Sequence, residues 1–216
     1  MKEFRPSYFY HWAEPSNLAS IRRHGLLSTE RLVALSNLPS IRREQILSQH
    51  RPNQLVLPDG TIVRDQTPMP PDLLTKALPK DISPSDWYRF LNRFVFLWAD
   101  RERAERHRRA FNGRPQTLLV FDAVLLLAER KDQVFLSPIN SGNARRRPAP
   151  RSLRLFVPYQ EWMAQGWPVI AGKRRSRSVP PAEILLQGQM PLEPYLVEII
   201  SYPPLKPPNE HIPPRR

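Results

Sequence analysis

The sequence predicts a single α+β domain. Short runs of β-branched, aromatic and aliphatic residues with the length of strands are mixed with helical segments, and the two do not alternate as they do in a doubly wound sheet. The chain has 216 residues, of which 40% are hydrophobic, so it can bury one good core and is short for two domains. We expect the domain to span residues 1–202. Residues 203–216 should form an extended proline-rich tail, because closely spaced prolines exclude helix and strand.

The first half of the chain is predicted to form one strand, several helices and a hairpin. An aromatic strand is predicted at residues 7–13, followed by a helix that begins at Leu18 and ends with Gly25 as its C-cap. The Asp59-Gly60 turn between aliphatic pairs predicts a hairpin over residues 55–64. Further helices are predicted at 29–37, 39–50, 71–78 and 84–92, the last capped by Ser83 or Ser85.

The second half supplies most of the predicted sheet. The apolar run at residues 94–98 has the length of a buried strand, and Asp100 caps a charged helix that continues to about residue 109. Another strand is predicted at residues 117–121, and Asp122 begins a short helix that ends near residue 130. Further strands are predicted at 134–137, 184–187 and 195–201.

Composition restricts the class of partner and of chemistry. The chain carries 33 Lys and Arg against 20 Asp and Glu, a net charge of +13, which attracts polyanions such as nucleic acid. It contains no cysteine, which excludes disulfides, thiolate metal sites and a cysteine nucleophile. The five histidines show no metal-ligand spacing, so no metal site is expected. Motifs of Rossmann, P-loop and hydrolase-elbow type are absent, so those classes of protein lack support. No apolar run or leader pattern indicates membrane insertion or secretion, and we expect a cytoplasmic protein.

Two polar residues stand at the edges of apolar strand-like segments near opposite ends of the chain. His11 lies in the aromatic strand at residues 7–13, and Glu183 precedes the run at residues 184–187. A histidine and a glutamate held on rigid strands can bind a substrate and stabilise developing positive charge, which cleavage of a glycosidic bond requires. The alternatives are a structural histidine and a solvent-facing glutamate, with Glu193 and Glu198 as other candidate acids.

Three segments carry a resemblance to a known family. Residues 10–14 together with residues 20–28 resemble the opening of ADP-ribosyltransferase-like proteins, in particular the DarT-like group and its uncharacterised relatives. The Arg-Asp-Gln-Thr-Pro-Met segment at 64–69 resembles their arginine-containing, Pro-Met-terminated segment, and residues 182–186 resemble the late strand that carries the catalytic glutamate. The resemblance implies a split, strongly bent β-sheet with helices packed around it, and NAD as the bound substrate.

The resemblance also implies roles for individual residues. Glu183, with Arg64, would be catalytic, because a carboxylate near the anomeric carbon stabilises an oxocarbenium-like state. Arg64 would engage the NAD pyrophosphate bidentately, the alternative being an ion pair with Asp59 or Asp65. The cofactor-binding set is His11 for the ribose hydroxyls, Trp12, Ser28, Arg64 and Trp98. The aromatic side chain that stacks on nicotinamide stays open among Tyr10, Trp12, Tyr88, Phe96 and Trp98.

Two basic runs are candidates for nucleic-acid binding. The first is Arg145, Arg146 and Arg147, which follows a loop at residues 137–143 that could present backbone donors to a phosphate or form an ordinary turn. The second is Lys173, Arg174 and Arg175, which precedes Glu183 and therefore, by the resemblance, lies where the acceptor docks. The alternative for the second run is a solvated loop.

The resemblance, together with the basic charge, implies transfer of ADP-ribose from NAD to nucleic acid, with DNA as the first choice. Such an enzyme would act as a toxin or defence protein and could have a cognate antitoxin as partner. Three alternatives remain: a non-catalytic basic protein that binds nucleic acid, an NAD-dependent RNA 2'-phosphotransferase, and a degenerate transferase that binds its nucleotide without turnover.

Overall fold

The computed structural model describes residues 4–109, 114–145, 149–170 and 172–205, and it confirms a mixed α+β fold. A seven-stranded sheet is antiparallel throughout, with the strand order β13-β6-β1-β5-β11-β7-β8. The strands are β1 (Tyr8–Ala13), β2 (Leu26–Leu27), β3 (Leu55–Val56), β4 (Ile62–Val63), β5 (Phe94–Trp98), β6 (Gln116–Asp122), β7 (Val134–Ser137), β8 (Val157–Pro158), β9 (Val169–Ile170), β10 (Lys173–Arg174), β11 (Glu183–Gln187), β12 (Gln189–Met190) and β13 (Leu196–Tyr202).

The helices lie between these strands and cover the sheet. A short 3₁₀ turn at Pro15–Asn17 precedes the first of them. The helices are α1 (Leu18–His24), α2 (Thr29–Leu35), α3 (Ser40–Ser48), α4 (Pro71–Thr75), α5 (Pro84–Leu91), α6 (Arg101–Arg109), α7 (Ala123–Arg130) and α8 (Tyr159–Gln165).

The large sheet contains a discontinuity at its centre. Strand β1 pairs with β6 through six residues, from Tyr8 opposite Asp122 to Ala13 opposite Thr117. On its other side β1 pairs with β5 only where Tyr10 lies opposite Trp98. Strand β5 in turn pairs with β11 along five residues. Two well-paired parts of the sheet therefore meet at a single position, and β1 and β5 separate beyond it.

The central strands are buried because their sequences are apolar on both faces. Leu118 and Leu119 on β6 point to opposite sides of the sheet, and neither is exposed to solvent. Ile184 and Leu185 show the same burial on both faces of β11. Removal of each such side chain from water contributes about 1.5–3 kcal/mol to folding. The sheet is accordingly a rigid base for residues at its strand ends.

Capping interactions fix where the helices begin, as the sequence predicts. The Asp122 side chain accepts a hydrogen bond from the Leu125 amide at 2.9 Å. Ser83 forms a capping box with Asp86 at the start of α5. Asp100 accepts from the Arg103 amide at 2.8 Å at the start of α6. The caps at Ser83 and Asp100 thus fix the starts of the two helices that precede and follow β5 in the chain.

Gly25 is the predicted C-cap of α1, and the structure gives it two constraints. Its φ of 75° lies in the left-handed region, which favours glycine. A Cβ atom at this position would lie 2.4 Å from the Met190 carbonyl oxygen, so a side chain has no room. The hairpin predicted over 55–64 is also present, with Gly60 at a φ of 85°.

Several segments differ from the predictions. Helix α4 ends at Thr75 and not near residue 78, and α8 was not predicted. The backbone of Lys173 and Arg174 forms β10, which pairs with β9 in a separate two-stranded sheet. Most of the predicted tail, residues 206–216, lies outside the described residues. Among the described helices, none has the length and apolar character that crossing a membrane requires.

Candidate functional site

A cavity of about 930 Å³ lies beside the place where β1 and β5 separate. Its walls carry His11 from β1, Trp98 from the end of β5 and Glu183 from the start of β11. The segment at 64–69 and the loop at 138–145 also contribute to the wall. Residues from opposite ends of the sequence thus face one space because their strands are neighbours of β5.

The His11 imidazole spans the gap between the separated strands. Its Nδ1 donates a hydrogen bond to the Phe96 carbonyl at 2.8 Å, which leaves Nε2 as an acceptor in the neutral ring. Burial lowers the pKa of His11 to about 4, opposed by the bond to Phe96 and reinforced by the positive charge of Arg64. His11 is therefore neutral at physiological pH and can accept a hydrogen bond from a hydroxyl group.

Glu183 is a buried carboxyl group at the cavity wall. The residue is only 4% exposed, and Oε2 accepts a hydrogen bond from the Ser141 amide at 3.0 Å. Burial raises the pKa of Glu183 to about 7, while interactions with Ser141 and the charge of Arg151 oppose that rise. A carboxyl group with this pKa is divided between its two protonation states at neutral pH, which suits proton transfer.

Trp98 lies directly beside Glu183. The two residues are register partners across β5 and β11, so their side chains share one face of the sheet. The Trp98 ring also contacts the ring of His107 on α6, with centroids 5.0 Å apart. Burial lowers the pKa of His107 to about 3, with Arg64 and His11 adding to the effect. The uncharged rings of Trp98 and His107 therefore form an aromatic part of the cavity wall next to Glu183.

Arg64 reaches the cavity from the end of the hairpin, where an ion pair with Glu14 holds it. Nε of Arg64 lies 3.1 Å from Oε1 of Glu14, and a terminal nitrogen donates to the Gln116 side chain at 3.4 Å. Burial lowers the pKa of Arg64, and the charge of Glu14 opposes that effect. Arg114 adds a second cation, 3.8 Å from Glu14 and 3.6 Å from Asp65. Arg64 thus belongs to a charged network, and its partner Glu14 was not among the predicted alternatives.

Trp12 and Ser28, two members of the predicted cofactor set, have structural interactions. The Trp12 indole is buried, and its nitrogen donates to the Ala104 carbonyl at 2.7 Å, although the residue also lines the cavity. Ser28 is buried as the N-cap of α2, where its hydroxyl accepts from the Arg31 amide at 3.3 Å, and it does not line the cavity. Its hydroxyl is thus used at a helix terminus, a role that the Ser-Thr-Glu sequence could have indicated.

The two basic runs occupy different environments. Arg145 is exposed and lines the cavity, whereas Arg146 and Arg147 lie outside the described residues. Arg174 and Arg175 are not among the cavity-lining residues, and β10 places the backbone of Lys173 and Arg174 in its small hairpin. The alternative acids, Glu193 and Glu198, are exposed and do not line the cavity.

Several cavity residues were not predicted, and they are mainly cations supplied by segments that are distant in sequence. Helix α6 alone contributes Arg103, Arg106 and His107, whose i, i+3 and i+4 spacing places them on one face of the helix. The residues are Arg51, Arg103, Arg106, His107 and Arg114.

The fold and the cavity together define an α+β protein with a cleft of apolar, aromatic and charged residues at a break in its sheet. The chain belongs to DUF7002, a family of unknown function whose profile matches residues 7–194. The matched region includes both His11 and Glu183. A search of curated proteins finds no match to the chain.

Proposed function

We propose that the protein is an NAD-dependent ADP-ribosyltransferase that modifies nucleic acid. The observation that carries the proposal is that His11 and Glu183 line one cavity at the break between β1 and β5. The cavity volume of about 930 Å³ lies in the range of about 300–1,000 Å³ that ligand sites occupy. The break supports the ADP-ribosyltransferase-like split of the sheet that the sequence motifs imply.

The residues of the cavity suit cleavage of the bond between nicotinamide and ribose. That bond breaks with its electron pair leaving on nicotinamide, and positive charge develops on the ribose. The carboxylate of Glu183 stabilises this charge, and Nε2 of His11 accepts a hydrogen bond from a ribose hydroxyl. The acceptor oxygen or nitrogen then bonds to the anomeric carbon, and its proton passes to the Glu183 carboxylate.

The cations of the cavity suit the phosphate groups of both substrates. The terminal nitrogens of Arg64 would donate to the pyrophosphate in place of Gln116, while Glu14 holds Nε. Arg103, Arg106 and Arg145 line the same space and would attract a nucleic-acid backbone. DNA is the first choice of acceptor because of the DarT-like motifs and the net charge of +13. A toxin or defence role follows from such an activity.

The test uses NAD labelled in its adenylate part. Incubation with single-stranded DNA, double-stranded DNA, RNA and protein in separate reactions should transfer label to DNA. Glu183→Gln should abolish transfer, and Glu198→Gln, the same substitution at an exposed strand residue, should not change it. Transfer to protein alone would contradict the nucleic-acid acceptor. Salt-dependent binding of DNA without consumption of NAD by any preparation would favour the non-catalytic binder.

The density of arginines in the cavity favours one second candidate, an NAD-dependent RNA 2'-phosphotransferase. Such an enzyme must hold an RNA phosphate in addition to the NAD pyrophosphate, and the cavity offers cations on several walls. An RNA that carries an internal 2'-phosphate distinguishes the two activities, because this enzyme would transfer that phosphate from the RNA to the ADP-ribose part of NAD, with release of nicotinamide. The cations concerned are Arg51, Arg64, Arg103, Arg106, Arg114 and Arg145.

A further inference from the structure

Arg151 is a buried cation that lies behind the wall of the cavity. The residue is 2% exposed, and its guanidinium group donates to two carbonyl oxygens, those of Ala149 at 2.8 Å and Asn143. Its backbone amide donates to the Ala77 carbonyl at 2.8 Å, so the residue is fixed at both ends. Nε of Arg151 has no hydrogen-bond partner among the described residues. A buried guanidinium group with an unused donor is costly unless a neighbouring charge compensates it.

The carbonyl of Asn143 connects Arg151 to the loop that touches Glu183. Ala144, the next residue, donates its amide to the Pro68 carbonyl at 2.8 Å, which ties the loop to the segment after Arg64. Three residues earlier, the Ser141 amide donates to Glu183 at 3.0 Å. The loop is thus held from behind by Arg151 and presents one backbone donor to the acid in front of it.

The charge of Arg151 acts on the same acid. Its positive charge lowers the pKa of Glu183, and the charge of Glu183 in turn raises the pKa of Arg151 against the effect of burial. The nearest neighbours of Glu183 on the sheet, Trp98 and Ser137, are uncharged. From α6, Arg103 donates to the Pro181 carbonyl at 3.3 Å, close to the start of β11. Arg145 lies on the loop and is exposed to solvent, which screens its charge.

We propose that Arg151 is the positioning residue for Glu183, which it serves both by clamping the loop at 138–145 and by supplying the counter-charge that keeps the acid available as a carboxylate. The inference rests on the proposed function for its catalytic meaning. Arg151 is not among the residues that line the cavity, so it acts through Glu183 and Ser141 and not on the substrate. The sequence offers no signal for this role, since Arg151 stands at the end of a basic, proline-rich stretch.

The test measures the ionisation of Glu183 directly, with glutamate labelled by ¹³C at the side-chain carboxyl group and titration followed by NMR. Glu183→Gln identifies the resonance. In Arg151→Gln the carboxylate fraction of Glu183 at pH 7 should fall about three-fold, because the counter-charge is gone. Arg154→Gln is the matched control: Arg154 is exposed and lies on the same segment, so its substitution should leave the titration unchanged. An Arg151→Gln titration that matches the unsubstituted protein would overturn the proposal.

Arg151→Lys separates the effect of the positive charge from that of the hydrogen bonds to Asn143 and Ala149. It also provides a second test of the proposal if Arg151→Gln does not fold. A lysine keeps the positive charge but cannot span the two carbonyl oxygens as a planar guanidinium group does. The titration of Glu183 should then stay near that of the unsubstituted protein, while hydrogen exchange of the Ser141 amide should become several-fold faster. Unchanged exchange at Ser141 would contradict the clamp.

Activity measurements distinguish failure of this inference from failure of the proposed function. If the protein cleaves NAD, Arg151→Gln should shift the rising limb of its pH–rate profile to higher pH, so that activity lost at pH 7 returns at pH 9. An equal loss at every pH would show a purely structural role and overturn the inference. If the protein does not cleave NAD but the titrations behave as expected, the proposed function fails while the coupling of Arg151 to Glu183 stands.

Discussion

Two buried glutamates lie at strand ends near the cleft, and their surroundings differ. Glu14 follows the end of β1 and is 5% exposed, with Arg64 at 3.1 Å and Arg114 at 3.8 Å. Glu183 begins β11 and is 4% exposed, yet the group that donates a hydrogen bond to its carboxylate is a neutral one, the amide of Ser141. The two acids are therefore almost equally buried, and their surroundings differ in the two guanidinium groups that lie beside Glu14.

Glu14 organises the site, whereas Glu183 can react in it. Glu14 is neutralised by two guanidinium groups, so its charge is used to hold Arg64 in place. Glu183 has a pKa raised to about 7 by burial, so it can exchange a proton near neutral pH. The same residue type thus has two functions because the fold places Arg64 and Arg114 in contact with Glu14, whereas a backbone amide donates to Glu183.

The largest effect on stability is expected at Glu14. Glu14→Gln removes the negative charge that compensates Arg64 and Arg114, and loss of one partner of a buried pair should lower the free energy of unfolding by about 3 kcal/mol. Denaturation by urea at pH 7.5 measures the change. Glu44→Gln is a suitable control, because the ion pair of Glu44 with Arg89 is exposed and should contribute less than about 1 kcal/mol. Equal effects of the two substitutions would contradict the organising role of Glu14.

The same substitution at Glu183 should stabilise the protein above neutral pH. Because the folded-state pKa of about 7 is raised above the ordinary value, ionising Glu183 costs folding free energy, and stability declines as pH rises from about 4.5 to 7. Glu183→Gln removes this cost and should raise the free energy of unfolding at pH 8 by about 2 kcal/mol. Thermal unfolding at pH 8 and pH 4 measures the effect, which should nearly vanish at pH 4. If Glu183→Gln lowers the free energy of unfolding at pH 8, burial of the Glu183 carboxylate does not cost folding free energy, and the prediction is wrong.

The two neutral histidines should make the fold sensitive to acid. The pKa values of His11 and His107 are lowered to about 4 and about 3, so the unfolded chain takes up protons at these residues before the folded one does. The stability contributed by the neutral histidines is fully present above pH 6.5. Between pH 7.5 and pH 5 each histidine should lose about 2 kcal/mol of it, while protonation of Glu183 returns about 2 kcal/mol, so the net stability should fall by about 2 kcal/mol. The doubly substituted His11→Gln, His107→Gln protein should lose this fall in urea denaturation and gain stability toward pH 5, because the opposite contribution of Glu183 remains. An unchanged slope would place the acid sensitivity elsewhere.

The smallest effect on the free energy of unfolding is expected for substitution of Ser28. This residue tests whether a polar side chain near the cavity has a structural role or binds a ligand. Ser28→Ala removes the N-cap of α2 and should lower the free energy of unfolding by about 1 kcal/mol. Ser28→Thr keeps the hydroxyl group and should recover most of that stability. If the Ser28 hydroxyl contacted NAD, Ser28→Ala would instead weaken NAD binding and leave the free energy of unfolding unchanged.

The sequence was sufficient for most of the fold because its signals are local. The helix caps at Ser83, Asp100 and Asp122 were all predicted, since each depends on residues within one helical turn. Helix α8, which follows Pro158 directly and has no side-chain cap, was missed. The break between β1 and β5 could not be predicted from local sequence signals either, because it depends on which strands become neighbours in the sheet.

The candidate site was predicted only in part for the same physical reason. The structure brings His11, Arg64, Trp98 and Glu183 to one cavity. The pairing of Arg64 with Glu14 joins residues on two separate elements, and no spacing rule indicates it. The network behind Glu183, which involves Ser141 and Arg151, likewise depends on how a loop without regular structure folds back on the sheet. These contacts therefore follow from tertiary structure.

Release of nicotinamide from NAD tests the central claim most directly. Purified protein at pH 8 should release nicotinamide well above the buffer rate, and Glu183→Gln should reduce the rate by about 100-fold or more while Glu198→Gln leaves it unchanged. A protein that releases nicotinamide equally well with glutamine at position 183, or that leaves NAD intact with every acceptor, would contradict the account.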